Sequence, residues 1–252
     1  MCRHDIMERM EQNHQPIESR FLPISILVAA VLISGSILFT VFYKGGTVTP
    51  SPAAQQPQAA APTSTVNIMA LSPRDAVLGN ANAPITFIEY GDYQCPFCVQ
   101  YFSQTQPLLI KKYVDSGKMK MVFRSFPFLG PESTAATEAA ECAADQNQAW
   151  AYHGALYQAK VQDEQKGGSE NDGSLNRTLF LKLAQQLGLD IPAFTTCIDA
   201  NKYASQVAQE KASASAAGVN STPVFFINGR QIMGAQPYAN FQSVIDGLLS
   251  AK

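Results

Sequence analysis

The chain has 252 residues, of which 46% are hydrophobic and 15% are charged, and its formal net charge is −2. A hydrophobic fraction of this size can build a packed core, so the composition excludes a wholly disordered protein. The near-neutral charge argues against a nucleic-acid partner, because nucleic-acid-binding proteins usually carry a strongly basic face.

The first distinctive segment, residues 21–43, contains no charged residue and reads FLPISILVAAVLISGSILFTVFY. About 20 apolar residues in a helix cross the hydrocarbon core of a bilayer, so we predict a single transmembrane anchor. A cleaved signal peptide and a buried core helix are the alternatives. The apolar run is longer than that of a signal peptide, and no small-residue cleavage site follows it.

Basic residues predict how this anchor is oriented. Arg3, Arg9 and Arg20 precede the anchor, whereas Lys44 is the one basic residue that follows it closely. Basic residues favour the cytoplasmic side of a membrane. We therefore expect residues 1–20 to lie in the cytoplasm and the rest of the chain to lie outside it, as in a single-pass protein of the cell membrane.

A linker is predicted at residues 44–72. Four prolines are spread among alanine, glutamine, threonine and serine, and the stretch has no charged residue after Lys44. Such a composition buries too little apolar surface to offset the entropy lost on ordering. We expect a disordered linker, followed by one folded domain over residues 73–252.

Strand and helix patterns alternate in the folded part. Strands are predicted at 85–90 and 119–126, with a helix between them from Cys95 towards Lys112 that bends near Pro107. Helical patterns then follow at about 131–146, 148–161, 176–187, 191–200 and 201–217. The chain closes with a strand at 224–227, a tight turn at Asn228-Gly229, a strand at 231–233 and a helix at 237–249.

This order predicts an α/β fold in two halves. A strand–helix–strand start implies a parallel pair joined by a right-handed crossover. The terminal hairpin adds antiparallel strands. The helices at about 130–217 then form an insertion between a β-α-β half and a β-β-α half.

The motif Cys95-Pro96-Phe97-Cys98 follows the first strand and opens a helix. Three residues make nearly one helical turn, so the two sulfur atoms can meet. Proline suits the first helical position, where its missing N–H would be unpaired anyway. Cys95 at the helix N-terminus is expected to form the attacking thiolate, and Cys98 to resolve a mixed disulfide.

Two other chemistries for this pair are weaker. A zinc ribbon needs a second cysteine or histidine pair, and the folded part has one histidine, His153, which is expected to be a packed helix residue. A purely structural disulfide is uncommon at this spacing. We predict no metal ion and no cofactor beyond the redox-active cysteines.

A second motif, Thr222-Pro223, precedes the apolar strand at 224–227. Proline cannot donate a hydrogen bond to a sheet, and one solution is a cis peptide in a loop that faces a functional site. Taken alone this signal is weak. Together with a CxxC motif at an upstream strand–helix junction, it is strong.

Both motifs, in this order, resemble those of the thioredoxin fold. The helical length between them resembles the DsbA family of extracytoplasmic thiol–disulfide oxidoreductases. LGNANAPITFIEYGDYQCPFC, AAECAADQNQAWAYHGALY and GVNSTPVFFINGR look like segments of its membrane-anchored, BdbD-type group. The resemblance covers residues 73–250.

The resemblance implies the roles of several residues and partners. Cys95 would be the nucleophile, Cys98 the resolving thiol, and Thr222-Pro223 a cis peptide beside them whose backbone pairs with an extended client. It implies reduced or unfolded client proteins and a quinone-linked membrane reoxidase. The protein would be a monomer, since a separate dimerisation domain is not evident.

One residue departs from the family pattern. The best-known oxidases have histidine between the cysteines, whereas this chain has Pro96-Phe97, and phenylalanine cannot donate the same hydrogen bond to a thiolate. The direction of the reaction therefore stays open. We expect a disulfide donor, with a reductase or isomerase of the same fold as one alternative. A redox-inert binding or chaperone module, or an appendage of a transport system, is another.

Three further residues are candidates for function or stability. Glu89 lies six residues before Cys95, where the family has an acid beneath the active site, and it could relay a proton to Cys98; otherwise it points outward from a half-exposed strand. Cys142 and Cys197 could form a structural disulfide, as in some relatives, or remain buried free thiols.

Four residues near the CxxC motif also have predicted places. Asp92 is expected to be a loop or cap residue. Tyr93, Phe97 and Phe126 could form an apolar rim for unfolded clients, and core packing explains Phe126 at least as well.

Overall fold

The computed structural model of the protein describes residues 67–251. Its elements in chain order are β1 (Val77–Leu78), β2 (Ile85–Gly91), α1 (Pro96–Gln104), α2 (Gln106–Leu109), a π-helical turn (Ile110–Val114), β3 (Met119–Ser125), α3 (Pro131–Ala144), α4 (Ala149–Glu164), α5 (Arg177–Gln186), α6 (Ile191–Asp199), α7 (Ala204–Ala216), β4 (Val224–Ile227), β5 (Arg230–Met233) and α8 (Tyr238–Ser250).

The predicted cytoplasmic segment at 1–20, the predicted anchor at 21–43 and most of the predicted linker lie outside the described residues. Between residues 67 and 251, none of the helices combines the length and the apolar character that crossing a membrane requires.

Strand β2 lies at the centre of the described sheet. The strand order is β1-β3-β2-β4-β5, with β2 and β3 parallel and the other neighbours antiparallel. The predicted parallel start and terminal hairpin are therefore confirmed. Strand β1 was not predicted, because two residues are too few to show an alternating pattern.

Side chains of β2 pack in two hydrophobic cores, one on each face of the sheet. Ile85 and Phe87 pack on one face of the sheet with Phe241 of α8. Ile88 packs on the opposite face with Ala214 of α7. Because successive strand residues point to opposite faces, both faces of β2 are covered, and the strand reads as a nearly continuous apolar run.

The helix predicted between the first two strands is divided. Helix α1 ends at Gln104, α2 begins at Gln106, and the π-helical turn follows α2. The break falls at Thr105 rather than at the predicted Pro107. A proline has no N–H to donate to the carbonyl four residues earlier, so its effect appears upstream of its own position.

Helices α3 to α7 form the predicted insertion. Cys142 of α3 and Cys197 of α6 are joined by a disulfide with a Cα–Cα distance of 5.9 Å. Around them, Tyr152 and Phe194 pack in a core shared by the insertion and the CxxC motif. The bridge therefore ties two helices of the insertion together beside a core that reaches Cys95.

Residues 67–76, here called the strap, are ordered against β3. Arg124 donates to the carbonyl oxygens of Ile68 and Ala70 at 2.9 and 2.6 Å, and it pairs with Asp75 at 2.7 Å. The folded part consequently begins at least six residues before the expected boundary at residue 73. Composition alone did not reveal this, because the partner of the strap is an arginine far along the chain.

We expect removal of the Cys142–Cys197 bridge to lower the free energy of unfolding by about 4 kcal/mol, because it closes a loop with a sequence separation of 55 residues. Urea unfolding would compare Cys142→Ala/Cys197→Ala with its parent. Both proteins would carry Cys95→Ala/Cys98→Ala to remove other thiol chemistry. A loss below about 1 kcal/mol would show that the insertion does not depend on the bridge.

Candidate active site

The CxxC motif lies where β2 turns into α1. Cys95 is the N-cap residue, with extended backbone angles of −69° and 119°, and Pro96 is the first helical residue. The unpaired N–H groups and the dipole of the helix are therefore next to the Cys95 sulfur. Both cysteines are free thiols and both are buried, with Cys95 4% and Cys98 0% exposed.

Asp92 organises the turn before the motif. Its carboxylate accepts hydrogen bonds from the backbone N–H groups of Gln94, Phe128 and Leu129 at 2.9, 2.9 and 3.1 Å. Its carbonyl oxygen accepts from the N–H of Cys95 at 3.0 Å. The prediction that Asp92 is a loop or cap residue is confirmed, and this side chain joins the turn to the loop after β3.

Gln94 makes contacts that sequence reasoning missed. Its side chain is fully buried and donates to Ser133 Oγ at 2.8 Å. Its Oε1 accepts from the backbone N–H of Asn171 at 2.6 Å, and its Nε2 donates to Asn171 Oδ1 at 3.2 Å. The residue immediately before the nucleophile is thereby fixed to the insertion. The sequence offers no signal for this pairing except the position of Gln94 beside Cys95.

The two thiols have opposite electrostatic surroundings. A hydrogen bond from the Cys98 thiol, helped by Thr222 and by the backbone N–H groups of Phe97 and Cys98, lowers the pKa of Cys95 to about 7, against the opposing effect of burial. Burial raises the pKa of Cys98 well above its usual value, and the Cys95 thiolate adds to this. Cys95 is therefore the more acidic thiol of the pair, and Cys98 donates a hydrogen bond to its thiolate.

The second predicted motif lies against the first. The Thr222–Pro223 peptide bond is cis. The Cys95 thiol donates to the carbonyl oxygen of Thr222 at 3.4 Å, across 127 residues of sequence. The N–H of Gly234 donates to the Pro223 carbonyl at 2.8 Å and fixes the loop from the side of β5. Thr222, Pro223 and the CxxC motif thus form one site.

Glu89 is buried rather than outward-facing. It is 2% exposed, and alternation along β2 puts it on the same face as Phe87. Among the described residues its Oε1 has no hydrogen-bond partner. Burial, and secondarily the Cys95 thiolate, raises the pKa of Glu89 well above its usual value. A buried carboxyl that is electrostatically coupled to both cysteines can hold a proton at neutral pH.

The expected apolar rim around the site is only partly present. Phe97 is 62% exposed, so its ring faces solvent. The expectation that Tyr93 joins this rim is wrong, because Tyr93 is buried. For Phe126 the alternative of core packing is confirmed, since it is buried in the core on the Ile88 face of the sheet. Tyr93 packs instead against the rings of Phe123 and Tyr157, with centroids 5.3 and 5.0 Å away.

Other titratable residues do not form a metal centre in the described part of the chain. Between residues 67 and 251, no three His, Cys, Asp or Glu side chains cluster closely enough to hold an ion. His153 is 4% exposed, as expected for a packed helix residue, and burial lowers its pKa to about 3. The chemistry that the unequal thiols of Cys95 and Cys98 can perform is thiol–disulfide exchange.

A CxxC motif at the N-terminus of a helix, next to a cis-proline loop and on a sheet of this order, defines a thioredoxin-fold protein. A family model described as Thioredoxin matches residues 71–247, and the chain belongs to that family.

Three comparisons show the reach of the similarity. Over 180 residues the chain is 33% identical to Na(+)/H(+) antiporter NhaA 3 of Salinispora tropica, covering 71% of this chain and 25% of that protein. Over 179 residues it is 27% identical to disulfide bond formation protein D of Bacillus subtilis, covering 70% of this chain and 78% of that protein. The crystal structure of Wolbachia pipientis alpha-DsbA1 matches with a TM-score of 0.64 and 26% identity, covering 73% of this chain and 94% of the Wolbachia chain.

The chain thus spans about a quarter of the length of the antiporter relatives that it matches. It spans most of the disulfide formation protein and nearly all of the DsbA structure. The resemblance to DsbA-like proteins, predicted from the two motifs and the helical insertion, is confirmed.

The hydrogen bond from Cys98 can be tested by two matched substitutions. Alkylation of reduced Cys95 should rise with pH and level off above its pKa of about 7. Cys98→Ala removes the donor, so the midpoint should move to higher pH, and a shift of one unit would lower the thiolate fraction at pH 7 by about fivefold. Cys98→Ser keeps a donor and should move it less. Mass spectrometry follows the alkylation of Cys95 in each protein. Equal midpoints in the two variants would contradict this account.

Proposed function

We propose that the protein is an extracytoplasmic thiol–disulfide oxidoreductase that donates the Cys95–Cys98 disulfide to secreted or envelope proteins. The observation that carries this proposal is the unequal pair itself, in which Cys95 has a pKa of about 7 and lies 3.4 Å from the Thr222 carbonyl, while Cys98 is fully buried. The disulfide formation protein of Bacillus subtilis and the Wolbachia DsbA structure support it.

The exchange begins with the oxidised pair. A client thiolate attacks Cys95 Sγ, a new S–S bond forms, and the Cys95–Cys98 bond breaks. Cys98 leaves as a thiolate and takes up a proton, because burial raises its pKa. A second client thiolate then attacks the client sulfur and releases Cys95. The client loses two electrons and the protein gains them. Cys95 is a good leaving group because its thiolate is stabilised.

Glu89 is the proposed proton carrier for Cys98. Burial raises its pKa and so favours its protonated form before exchange, and its charge is among those that raise the pKa of Cys98, the group that must gain a proton. After it gives up the proton, its negative charge would raise the pKa of Cys98 further and so hold the proton on sulfur. Cys98 would thus gain its proton from Glu89 in the same step that breaks the Cys95–Cys98 bond.

A second candidate function has its own supporting observation. The pKa of Cys95, about 7, resembles that of thioredoxin, a reductant, more than the value of about 3.5 in DsbA. A less stabilised thiolate makes the reduced form less favourable and the disulfide a weaker oxidant. Phe97, in place of the histidine of the best-known oxidases, is consistent with this. A reductase with the same site is therefore the alternative.

The apolar segment supports the proposed location, and the resemblance to the DsbA family supports the proposed partner. An anchor at 21–43 would hold the domain outside the cytoplasm, and a quinone-linked membrane protein would reoxidise Cys95 and Cys98. The antiporter relatives match over about a quarter of their length, so their name does not by itself suggest transport by this chain. The clients would be reduced, unfolded chains that reach the exposed ring of Phe97.

The reduction potential decides between donor and reductase. The full chain would be equilibrated with glutathione and the reduced fraction counted by alkylation and mass. The donor proposal predicts a reduction potential of about −120 to −160 mV. A reduction potential of about −250 mV would favour the reductase. Cys95→Ala should abolish exchange in both cases. Exchange that persists in Cys95→Ala would exclude both the donor and the reductase mechanism.

Glu89→Gln tests the proton carrier. We expect the variant to slow the breaking of the Cys95–Cys98 bond by about tenfold or more, because the amide cannot supply a proton. The measurement is stopped-flow reduction by a model dithiol between pH 6 and 9, with Glu138→Gln, a half-buried glutamate in α3, as the control. Unchanged rates throughout would remove Glu89 from the mechanism.

A further inference from the structure

A closed ring of hydrogen bonds lies beside the CxxC motif and joins three separate segments of the chain. Asp92 and Gln94 belong to the turn after β2, Leu129 to the loop after β3, and Asn171 to the loop between α4 and α5. The carboxylate of Asp92 accepts from the backbone N–H groups of Gln94 and Leu129 at 2.9 and 3.1 Å. The ring therefore begins and ends at Asp92, three residues before Cys95.

The side chains of Gln94 and Asn171 complete the ring. Gln94 Oε1 accepts from the backbone N–H of Asn171 at 2.6 Å, and Gln94 Nε2 donates to Asn171 Oδ1 at 3.2 Å. Asn171 Nδ2 donates to the carbonyl oxygen of Leu129 at 2.7 Å. Gln94 Nε2 also donates to Ser133 Oγ at 2.8 Å, and both of these residues are fully buried. Every polar atom of the Gln94 side chain thus has a partner outside the CxxC motif.

The loop that carries Asn171 is shaped to fit this ring. Asn171 has a φ of 52°, a left-handed conformation that asparagine adopts more readily than most residues. Gly130 faces it, and a Cβ at residue 130 would lie 2.5 Å from Asn171 Oδ1. Lys160, which is 1% exposed, holds the same loop by donating to the carbonyl oxygen of Ser169 at 2.7 Å. The backbone on both sides of the contact is therefore adapted to keep Asn171 against Gln94.

The groups that face the reacting sulfur are different ones. The Cys98 thiol, the Thr222 loop and N–H groups of the first turn of α1 surround Cys95 Sγ. The buried carboxyl of Glu89 is coupled to Cys95 electrostatically. Gln94 directs its side-chain hydrogen bonds to other segments, so it acts on Cys95 through the backbone that joins them. Reacting groups depend on such supporting contacts, because small displacements weaken the interactions that stabilise them.

We propose that Gln94 is a positioning residue for the exchange at Cys95, because it fixes the backbone before the nucleophile and so holds Cys95 Sγ against Thr222 and the N-terminus of α1. This role rests on the proposed function, since it concerns the same thiol. Without the hydrogen bonds of Gln94, the turn would relax and the sulfur would move away from the groups that stabilise its thiolate. A less stabilised thiolate is a smaller fraction of the thiol at neutral pH and a poorer leaving group.

The test compares Gln94→Met with Gln146→Met in the full chain, kept in a mild detergent. Methionine keeps the length of glutamine but lacks its amide donor and acceptor. Gln146 makes the same kind of contact within the insertion. Its Oε1 accepts from the N–H of Asp190 at 2.7 Å, and its Nε2 donates to the Asp190 carbonyl at 3.2 Å. Both substitutions should lower the free energy of unfolding, so a loss of stability is common to them.

The alkylation midpoint of Cys95, followed by peptide mass spectrometry, separates a positioning role from a structural one. The parent should have its midpoint at pH 7 or close to it, since the pKa of Cys95 is about 7. Gln94→Met should raise the midpoint by about half a unit to one unit, which lowers the thiolate fraction at pH 7 about two- to fivefold. Gln146→Met should keep the midpoint of the parent. Equal midpoints in the parent and in folded Gln94→Met would overturn the proposal.

Asn171→Gly keeps the proposal testable if Gln94→Met does not fold. Glycine retains the left-handed backbone and the N–H that donates to Gln94 Oε1, but it removes both side-chain hydrogen bonds of Asn171. Its midpoint should rise by less than that of Gln94→Met, and in that case a midpoint equal to the parent's would overturn the proposal.

The proposed function is tested separately by the exchange of the parent protein with a model dithiol peptide. A parent in which Cys95 and Cys98 exchange with no dithiol would refute the proposed function. The alkylation midpoints do not depend on exchange, so they would still decide whether Gln94 positions the Cys95 sulfur.

Discussion

The active site depends on the burial of a polar turn between a strand and a helix. Residues 92–95 leave the sheet and enter α1 almost without contact with water, so their backbone groups need partners inside the protein. Asp92 supplies two of these, because its carboxylate accepts the N–H of Gln94 and its carbonyl accepts the N–H of Cys95. The same carboxylate also accepts the N–H groups of Phe128 and Leu129 and so joins the turn to the loop after β3. This network holds Cys95 at the helix N-terminus, where the thiolate is stabilised.

The same burial makes the two cysteines chemically different. Cys95 keeps contact with helix N–H groups and with the Thr222 loop, and so its charge is compensated. Cys98 lies one turn deeper, where burial disfavours charge and where its proton becomes a hydrogen bond to Cys95. One helical turn thus separates a thiol with a lowered pKa from a thiol with a raised pKa. The difference arises from the hydrogen bonds to Cys95 and from the deeper burial of Cys98.

Local features of the structure could be predicted from the sequence, and contacts between distant segments could not. Cys95, Cys98 and the Thr222-Pro223 loop are recognisable because each lies in a short motif at a strand end. The pairing of Gln94 with Asn171, 77 residues away, has no local pattern. The inward direction of Tyr93 was missed for the same reason, since it depends on aromatic rings contributed by β3 and α4. The two-residue strand β1 is too short for any periodicity.

The described sheet has unusually short edges, with two residues in β1 and four in β5. An exposed edge strand invites the backbone of another chain to pair with it, and short or charged edges limit this pairing. Arg230 and Gln231 are exposed on β5. Under the proposed function, the protein would meet such backbones in its unfolded clients. The short edges would then offer these clients few sites for backbone pairing, and the Thr222 loop would be the place where client backbone pairs.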